Sequence, residues 1–259
     1  MNKTEEQLRE EIVRVGRLVF EKGWIAANDG NITARLDEER LVATPTGICK
    51  GMMKPEDLIL CDLNGAKISG HRECTSEVAM HLTIYRMRPD VQSVLHAHPP
   101  VATGFACAGR ALNVGLLPEI VISLGSVPLA DYGLPGTPAL TEGMLPYISK
   151  YDALLMANHG AVAYGQDVFQ AFFRMEMVEH YARILLVAEL LGGARALPRV
   201  EVQKLFDSRT RYKVRSRNQF EPGAPMTAED LPDPGEKLQI TREQLLAIID
   251  EALKVRGVF

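Results

Sequence analysis

Cysteine is scarce in this chain of 259 residues. The four cysteines are scattered and form no CxxC pair: Cys49, Cys61, Cys74 and Cys107. Spacing this sparse argues against a disulfide framework and against a structural zinc cluster of thiolates. The first residues, MNKTEEQLREE, are acidic and polar and do not resemble a secretory signal. Together these features predict a protein of a reduced compartment, the cytoplasm.

Long apolar runs and an excess of basic charge are also missing. No apolar run reaches the roughly 18 to 20 residues that a membrane helix needs. The formal net charge is -4 and the pI is near 5.9, so nothing indicates a surface for nucleic acid or for an anionic membrane. Hydrophobic residues make up 46% and charged residues 24% of the chain, as in an ordinary globular protein. We therefore expect no nucleic-acid or membrane partner.

Helices and strands alternate irregularly along the chain, which favours an α/β layered fold. Helices are predicted over residues 4–23, where Thr4 and Gln7 can form a capping box, and over 76–87, 139–150 and 167–191. Strands are predicted over 40–46, 57–63, 94–98 and 119–133, and over 152–165 with a turn inside. Four prolines in 217–237 predict an extended linker before a terminal amphipathic helix at 242–257. These patterns divide the chain into a main domain, 1–200, and a C-terminal extension, 201–259.

Two histidines lie two residues apart in the segment VLHAHPP. Side chains alternate along a strand, so His96 and His98 are predicted to point to the same side. His159 is a third candidate ligand, at an Asn-His-Gly turn where Gly160 is expected to let the backbone turn sharply. Neutral imidazole is the commonest metal ligand, and a catalytic zinc site has three protein ligands and an open position. The alternative, three separate structural histidines, stays open because sequence does not show convergence.

Glu77 follows Thr75 and Ser76 at a predicted helix start, where Ser76 can act as the N-cap. Hydroxyls and free N–H groups at such a position favour an anion such as phosphate. Glu77 is a candidate general base or fourth metal ligand, and the alternative is a first-turn acid that complements the helix dipole. His81 lies one turn further and is interpreted as a buried, hydrogen-bonded core histidine rather than a ligand.

Taken in order, the segments NDGNIT, TPTG, TSE, HAH and NHG resemble the class II aldolase/adducin family over roughly residues 8–200. The resemblance implies an α/β fold of three layers, α/β/α, around a mostly antiparallel sheet, and a homotetramer with active sites between subunits. It implies that His96, His98 and His159 bind Zn²⁺, with Mn²⁺ or Co²⁺ as alternatives, and that Glu77 is the catalytic acid/base. It also implies a cradle for the substrate phosphate made of Asn31, Thr46, Gly47, Thr75 and Ser76.

The same resemblance implies a zinc-dependent aldehyde-lyase that reversibly cleaves a ketose 1-phosphate to dihydroxyacetone phosphate and an aldehyde. The metal would act as a Lewis acid that stabilises an enediolate. Alternatives within the family are a decarboxylase, a sugar-phosphate 4-epimerase and a non-enzymatic adducin-like module. The chain departs from the family's aldolases in the segment ALNVGLLPEIV, which has no tyrosine to serve as a second acid. Glu119 and Tyr132 are the candidates for that role.

Overall fold

The computed structural model describes residues 3–212 together with residues 214, 241 and 243. One sheet of eight strands runs through this part of the chain, in the order β4-β3-β2-β1-β5-β8-β7-β6. Its strands are β1 (Asn31–Arg35), β2 (Arg40–Ala43), β3 (Ile59–Asp62), β4 (Lys67–Ser69), β5 (Ser93–Ala97), β6 (Leu129–Ala130), β7 (Ala153–Met156) and β8 (Gly160–Gly165). Every neighbouring pair is antiparallel except β6 and β7. The prediction of a mostly antiparallel sheet is confirmed.

Seven helices accompany the sheet in the described residues. They are α1 (Glu5–Glu21), α2 (Val78–Met87), α3 (Pro100–Cys107), α4 (Pro118–Ser123), α5 (Pro138–Ile148), α6 (Val168–Leu190) and α7 (Arg199–Asp207). Thr4 and Gln7 form the predicted capping box of α1, and the Asp167 side chain accepts from the N–H of Gln170 at the start of α6. The four helices predicted within the described residues are therefore present. None of the described helices combines the length and the apolar character needed to cross a membrane.

The sheet separates two hydrophobic cores, as the alternation along β5 illustrates. Leu95 and Ala97 face one core, which also contains the apolar sides of α1, α3 and α6. Val94 faces the other core, which contains α2 and α5. Successive strand residues point to opposite faces, so helices cover both sides of the sheet. The predicted three-layer α/β/α architecture is confirmed.

The strand predicted over 119–133 is wrong for its first part. Residues there form the short helix α4, and only Leu129–Ala130 pairs as a strand. A proline at the first helical position favours this start, because its fixed φ angle suits a helix. At the other end, the guanidinium of Arg209 donates to the carbonyls of Val121 and Ile122 at 2.8 Å. The run of β-branched residues at 120–122 predicts a strand by itself. Arg209, almost 90 positions away, stabilises the helix instead by donating to the carbonyls at its end.

Two predictions about the C-terminal part fall on residues that are not described. The linker over 217–237 and the terminal helix over 242–257 lie outside the described residues. The division of the chain into 1–200 and 201–259 therefore stays a prediction.

Candidate metal centre

Three predicted ligands meet at one edge of the sheet. His96 pairs with Val162 across β5 and β8, so the end of β5 lies beside the turn that joins β7 to β8. The ring nitrogens of His96, His98 and His159 that could hold a metal ion all lie within 4.8 Å of one another. The three rings are tilted toward one another, with centroids 4.7 to 5.4 Å apart. The structure thus brings together three histidines that are up to 63 positions apart in the sequence.

Hydrogen bonding determines which nitrogen of His96 faces the centre. Its Nδ1 lies 2.9 Å from the carbonyl of Ala161, and because a carbonyl only accepts, Nδ1 carries the proton. The lone pair of Nε2 therefore points inward, 3.1 Å from Nε2 of His98. Burial lowers the pKa of His96 to about 3, so the ring is neutral near pH 7. This arrangement is typical of a metal-ligating histidine held by a second bond.

The turn that carries His159 is made differently from the prediction. Asn158 has the left-handed conformation, with φ of 53°, whereas Gly160 has no positive φ. Gly160 is instead required for space, because a Cβ there would lie 2.5 Å from Cδ2 of His98 and 2.7 Å from the carbonyl oxygen of Ala97. The prediction that Gly160 makes the sharp turn is wrong. Its missing side chain allows the histidine rings to approach the hairpin.

The carboxylate of Glu77 lies against the histidines. Its Oε1 is 3.2 Å from Nε2 of His159, and its Oε2 is 3.4 Å from Nε2 of His96. Oε2 also accepts from Nδ2 of Asn31 at 2.8 Å. Burial acts to raise the pKa of Glu77, but the neighbouring imidazoles and the Asn31 amide outweigh it and hold that pKa below its ordinary range. The Glu77 carboxylate is therefore an anion beside nitrogen atoms that could bind a metal.

Two buried polar atoms at this centre have no hydrogen-bond partner among the described residues. They are Oε1 of Glu77 and Nδ1 of His159. Buried polar atoms are nearly always paired, and an unsatisfied one calls for an explanation. A cation among the inward-facing nitrogens would satisfy the Glu77 oxygen, and three imidazoles with one carboxylate form a donor set that zinc accepts. The residues present fit a divalent metal.

The TPTG loop borders the centre from β2. Thr46 and Gly47 are both exposed, and the N–H of Thr46 donates to the carbonyl of Glu73 at 3.1 Å. Gly47 has φ of +70°, and a Cβ there would meet no atom within 4 Å. This loop is therefore tied to the segment before Glu77 and presents open backbone to solvent.

Ser76 does not cap α2, contrary to the prediction. The helix begins at Val78, with Glu77 at the N-cap position and no capping bond from a side chain. The N–H of Val78 donates to the carbonyl of Thr75 at 3.2 Å, and the Thr75 hydroxyl accepts from the N–H of Glu77 at 3.4 Å. The turn is thus closed by backbone and by Thr75, which is buried, whereas Ser76 is exposed.

Neither candidate for the second acid reaches the histidines with its side chain. Glu119 is exposed in the first turn of α4, and the side chain of Tyr132 is in a loop after β6 and 59% exposed. That loop does approach the centre, since a Cβ at Gly136 would lie 3.6 Å from the carbonyl oxygen of Ser76. The loop is therefore near, and the role of Tyr132 stays a prediction.

Sequence reasoning missed Lys50 and Asp29. Nζ of Lys50 donates to the carbonyls of Asn28 at 2.6 Å and Ile48 at 3.0 Å, and so ties together the loops before β1 and after β2. Burial lowers the pKa of Lys50 to about 8. Oδ2 of Asp29 lies 3.5 Å from Nδ1 of His98, on the outer side of that ring. The segment GICKG carries no periodic signal that separates a buried lysine from an exposed one.

A separate cavity lies away from the histidines. It has a volume of about 740 Å³ and is lined in part by Arg35, Tyr85 and Arg86, near the far end of α2. No predicted site residue lines it. We therefore base the functional interpretation on the histidine centre.

The chain is similar to known proteins along most of its described length. Residues 10–186 match the model of the class II aldolase and adducin N-terminal domain. The 3-oxo-tetronate 4-phosphate decarboxylase of Pectobacterium atrosepticum is 34% identical over 188 residues, 71% of this chain and 86% of the relative. The 5-deoxy-D-ribulose 1-phosphate aldolase of Bacillus thuringiensis serovar kurstaki is 34% identical over 199 residues, 76% of this chain and 92% of the relative. A solved L-fuculose 1-phosphate aldolase superposes with a TM-score of 0.73 at 29% identity, over 79% of this chain and 96% of its own.

Proposed function

The chain belongs to the class II aldolase and adducin family, and from this premise we propose that it is a metal-dependent lyase. The reaction is the reversible cleavage of a ketose 1-phosphate to dihydroxyacetone phosphate and an aldehyde. The observation that supports it is the convergence of three imidazoles, two of which lie within 3.4 Å of the Glu77 carboxylate. A relative named as a 5-deoxy-D-ribulose 1-phosphate aldolase, at 34% identity, supports the same reaction.

His96, His98 and His159 would hold the metal, and their imidazole nitrogens favour zinc, with Mn²⁺ or Co²⁺ as alternatives. When bound, a divalent metal supplies a Lewis acid that stabilises negative charge on the substrate oxygens next to the bond that breaks. The Ala161 carbonyl keeps His96 in the tautomer that this role needs.

Glu77 is the group placed to move a proton in this reaction. Cleavage leaves the enediolate of dihydroxyacetone phosphate, and its terminal carbon must then be protonated. The Glu77 carboxylate would first take a proton from solvent and then give it to that carbon; in the reverse direction the carboxylate removes it again. The Asn31 amide donates to Oε2 of Glu77, and Oε1 lies 3.2 Å from Nε2 of His159.

The phosphate cradle consists of two exposed loops. One loop offers the Gly47 N–H and the Thr46 hydroxyl, and the other offers the exposed Ser76 beside the buried Thr75, just before α2. Such donors at a helix start suit a phosphate. Asn31 is the fifth residue of the proposed cradle, but it is buried and its side-chain amide donates to Glu77.

Decarboxylation is the second candidate, because it needs fewer proton-transferring groups. Aldol cleavage must also remove a proton from a hydroxyl of the departing aldehyde, whereas carbon dioxide leaves a 3-oxo acid without such a transfer. A 3-oxo-tetronate 4-phosphate that loses its carboxyl carbon gives the same enediolate of dihydroxyacetone phosphate. Glu77 alone could protonate it, and a 34% identical relative is named for this reaction.

The first experiment follows the shared half-reaction. Zinc-loaded protein is mixed with dihydroxyacetone phosphate in heavy water, and the hydroxymethyl protons are observed by NMR. We expect stereospecific loss of one signal, abolished by a chelator. No exchange by fully metallated protein would contradict both reactions and favour a non-enzymatic module.

Two further assays then separate the candidates. Condensation of dihydroxyacetone phosphate with members of an aldehyde panel would identify an aldolase. Release of carbon dioxide from 3-oxo-tetronate 4-phosphate, without condensation, would identify a decarboxylase. Interconversion of pentulose 5-phosphates would identify an epimerase.

The ligand set is tested separately by His96→Ala. We expect loss of bound zinc and of exchange, because the remaining two imidazoles hold a metal weakly. The matched control is His71→Ala, whose ring is exposed in a loop and lies next to Asp57, not next to the other histidines. Stoichiometric zinc and full activity in His96→Ala would overturn the assignment.

The homotetramer with active sites between subunits is part of this proposal, as is the cytoplasmic location. An intersubunit site would let a neighbouring chain supply the second acid that aldol cleavage needs. Light scattering coupled to size-exclusion chromatography measures the assembly, and a monomer with full activity would exclude the shared site.

A further inference from the structure

A chain of buried hydrogen bonds runs from Glu77 along α2. Asn31 Nδ2 lies 2.8 Å from Glu77 Oε2, and Asn31 Oδ1 lies 2.5 Å from His81 Nε2. His81 Nδ1 lies 2.8 Å from the Thr33 hydroxyl, which lies 2.9 Å from the hydroxyl of Tyr85. From Asn31 onward, every member is at most 4% exposed. We call these five residues the Glu77 chain.

The direction of every bond in the Glu77 chain follows from its first member. An ionised carboxylate only accepts, so the amide nitrogen of Asn31 faces Glu77 and the amide oxygen faces His81. That oxygen needs a donor, so Nε2 of His81 carries the proton. Burial lowers the pKa of His81 to about 4, so the ring is neutral and its Nδ1 accepts from Thr33. The Thr33 oxygen in turn accepts from Tyr85, and all donors point toward Glu77.

We propose that His81 is a positioning residue for Glu77 and acts through Asn31. This inference rests on the proposed function, in which Glu77 moves the proton. An asparagine amide has nearly the same shape in its two flipped orientations, and only hydrogen-bond partners distinguish them. His81 supplies the donor that selects one orientation. The flipped amide would turn its oxygen toward the carboxylate and repel it.

Packing alone does not require a histidine here. His81 is fully buried among apolar side chains of α2 and the sheet, where an apolar residue would avoid the cost of desolvating a ring with two nitrogens. The imidazole connects one acceptor on β1, the Asn31 oxygen, with one donor on the same strand, the Thr33 hydroxyl. Bonds that share one direction polarise one another, so the amide that reaches Glu77 becomes a stronger donor.

Two polar variants separate positioning from packing. In His81→Gln the amide nitrogen occupies nearly the place of Nε2 and can still donate to Asn31. In His81→Asn the shorter amide reaches only the place of Nδ1. We expect His81→Asn to lower kcat for deuterium exchange roughly 10- to 100-fold with little change in KM or bound zinc, and His81→Gln to recover most of it. Equal losses in both variants would overturn the proposal.

A double-mutant cycle tests whether His81 acts through Asn31. In the Asn31→Ala background, His81→Asn should lower kcat no further, because the amide that it orients is gone. Independent losses that multiply would overturn the proposal.

The tautomer gives a readout that does not depend on catalysis. Nitrogen chemical shifts of ¹⁵N-labelled histidine should show His81 as the neutral Nε2–H form at pH 7 in wild type. A neutral Nδ1–H form or an imidazolium would overturn the proposed direction of the bonds. If the tautomer is as expected but wild type shows no exchange, the proposed function fails and the bond direction stands.

Discussion

The two ends of α2 hold two different buried polar networks. The Glu77 chain begins at its start and extends along it to Tyr85; its other members are uncharged and all its hydrogen bonds point toward the Glu77 carboxylate. At its end lies a group of four charged side chains, which we call the Arg88 cluster: Arg88, Asp90, Asp152 and Arg174. Within the cluster, Arg88 lies 2.8 Å from Asp152, which lies 2.9 Å from Arg174.

The two networks bury polar groups for different purposes, one structural and one chemical. In the Arg88 cluster each acid faces a base, so the charges compensate one another locally. Arg88 also donates to the carbonyls of Ile148 and Tyr151, which joins α2 to the end of α5 and the entry to β7. The Glu77 chain has no such internal compensation, because its charge lies at one end, against the histidines. We therefore expect damage to the cluster to affect stability, and damage to the chain to affect chemistry.

The largest expected effect is on chemistry, from Glu77→Gln. This change keeps the shape and the bond from Asn31 but removes the proton carrier, so deuterium exchange should fall by about 10²- to 10⁴-fold. NMR exchange rates and thermal unfolding measure the two properties. The exposed Glu73→Gln is the matched control and should exchange like wild type. Substantial deuterium exchange by Glu77→Gln would contradict the assignment of chemistry to the Glu77 chain and of stability to the Arg88 cluster.

The next effect is on stability, from Arg88→Met. Removing one partner of a buried ion pair leaves charge uncompensated and should lower the free energy of unfolding by roughly 3–5 kcal/mol. Urea denaturation measures the loss, and kcat per folded molecule should stay unchanged. Arg86→Met, on the exposed side of α2, should cost less than about 1 kcal/mol. A large fall in kcat for Arg88→Met would mean that the cluster also positions the catalytic end.

A smaller effect is expected at the far end of the Glu77 chain, from Tyr85→Phe. Loss of the hydroxyl should cost about 1 kcal/mol of unfolding free energy. The rate of deuterium exchange should fall less than about threefold, because each hydrogen bond passes on only part of the polarisation to the next. Tyr164→Phe is the matched change in contact with the Arg88 cluster, since its hydroxyl donates to the carbonyls of Ile148 and Tyr151. It should lower stability without changing exchange. A Tyr85→Phe effect as large as that of His81→Asn would contradict attenuation along the chain.

The smallest effect is expected at the exposed N-cap of α1, from Thr4→Ala. This change removes the N-cap of α1 and should cost about 1 kcal/mol of unfolding free energy, with exchange unaffected. Denaturation and exchange assays check both parts. Gln7→Ala, in the same capping box, should cost no more. An effect on exchange would show that α1 transmits strain to the centre.

Local sequence signals were sufficient for much of the fold. The helical spacing of apolar residues and the caps Thr4 and Asp167 predicted α1 and α6, because capping and amphipathic periodicity act within a few residues. The prediction failed over α4 and at Ser76, where partners distant in the chain or the geometry of the turn decide the conformation.

By itself, the sequence determined which side chains are available and that His96 and His98 point to the same side, since both follow from residue identity and strand alternation. It also carried the ordered motifs that indicate the family. Only the tertiary structure decided that His159 and Glu77 meet that face, because their approach depends on the pairing of β5 with β8 and on the packing of α2. The same holds for the orientation of the Asn31 amide. Its two forms are equal in the isolated residue, and only partners brought together by folding make them differ in energy.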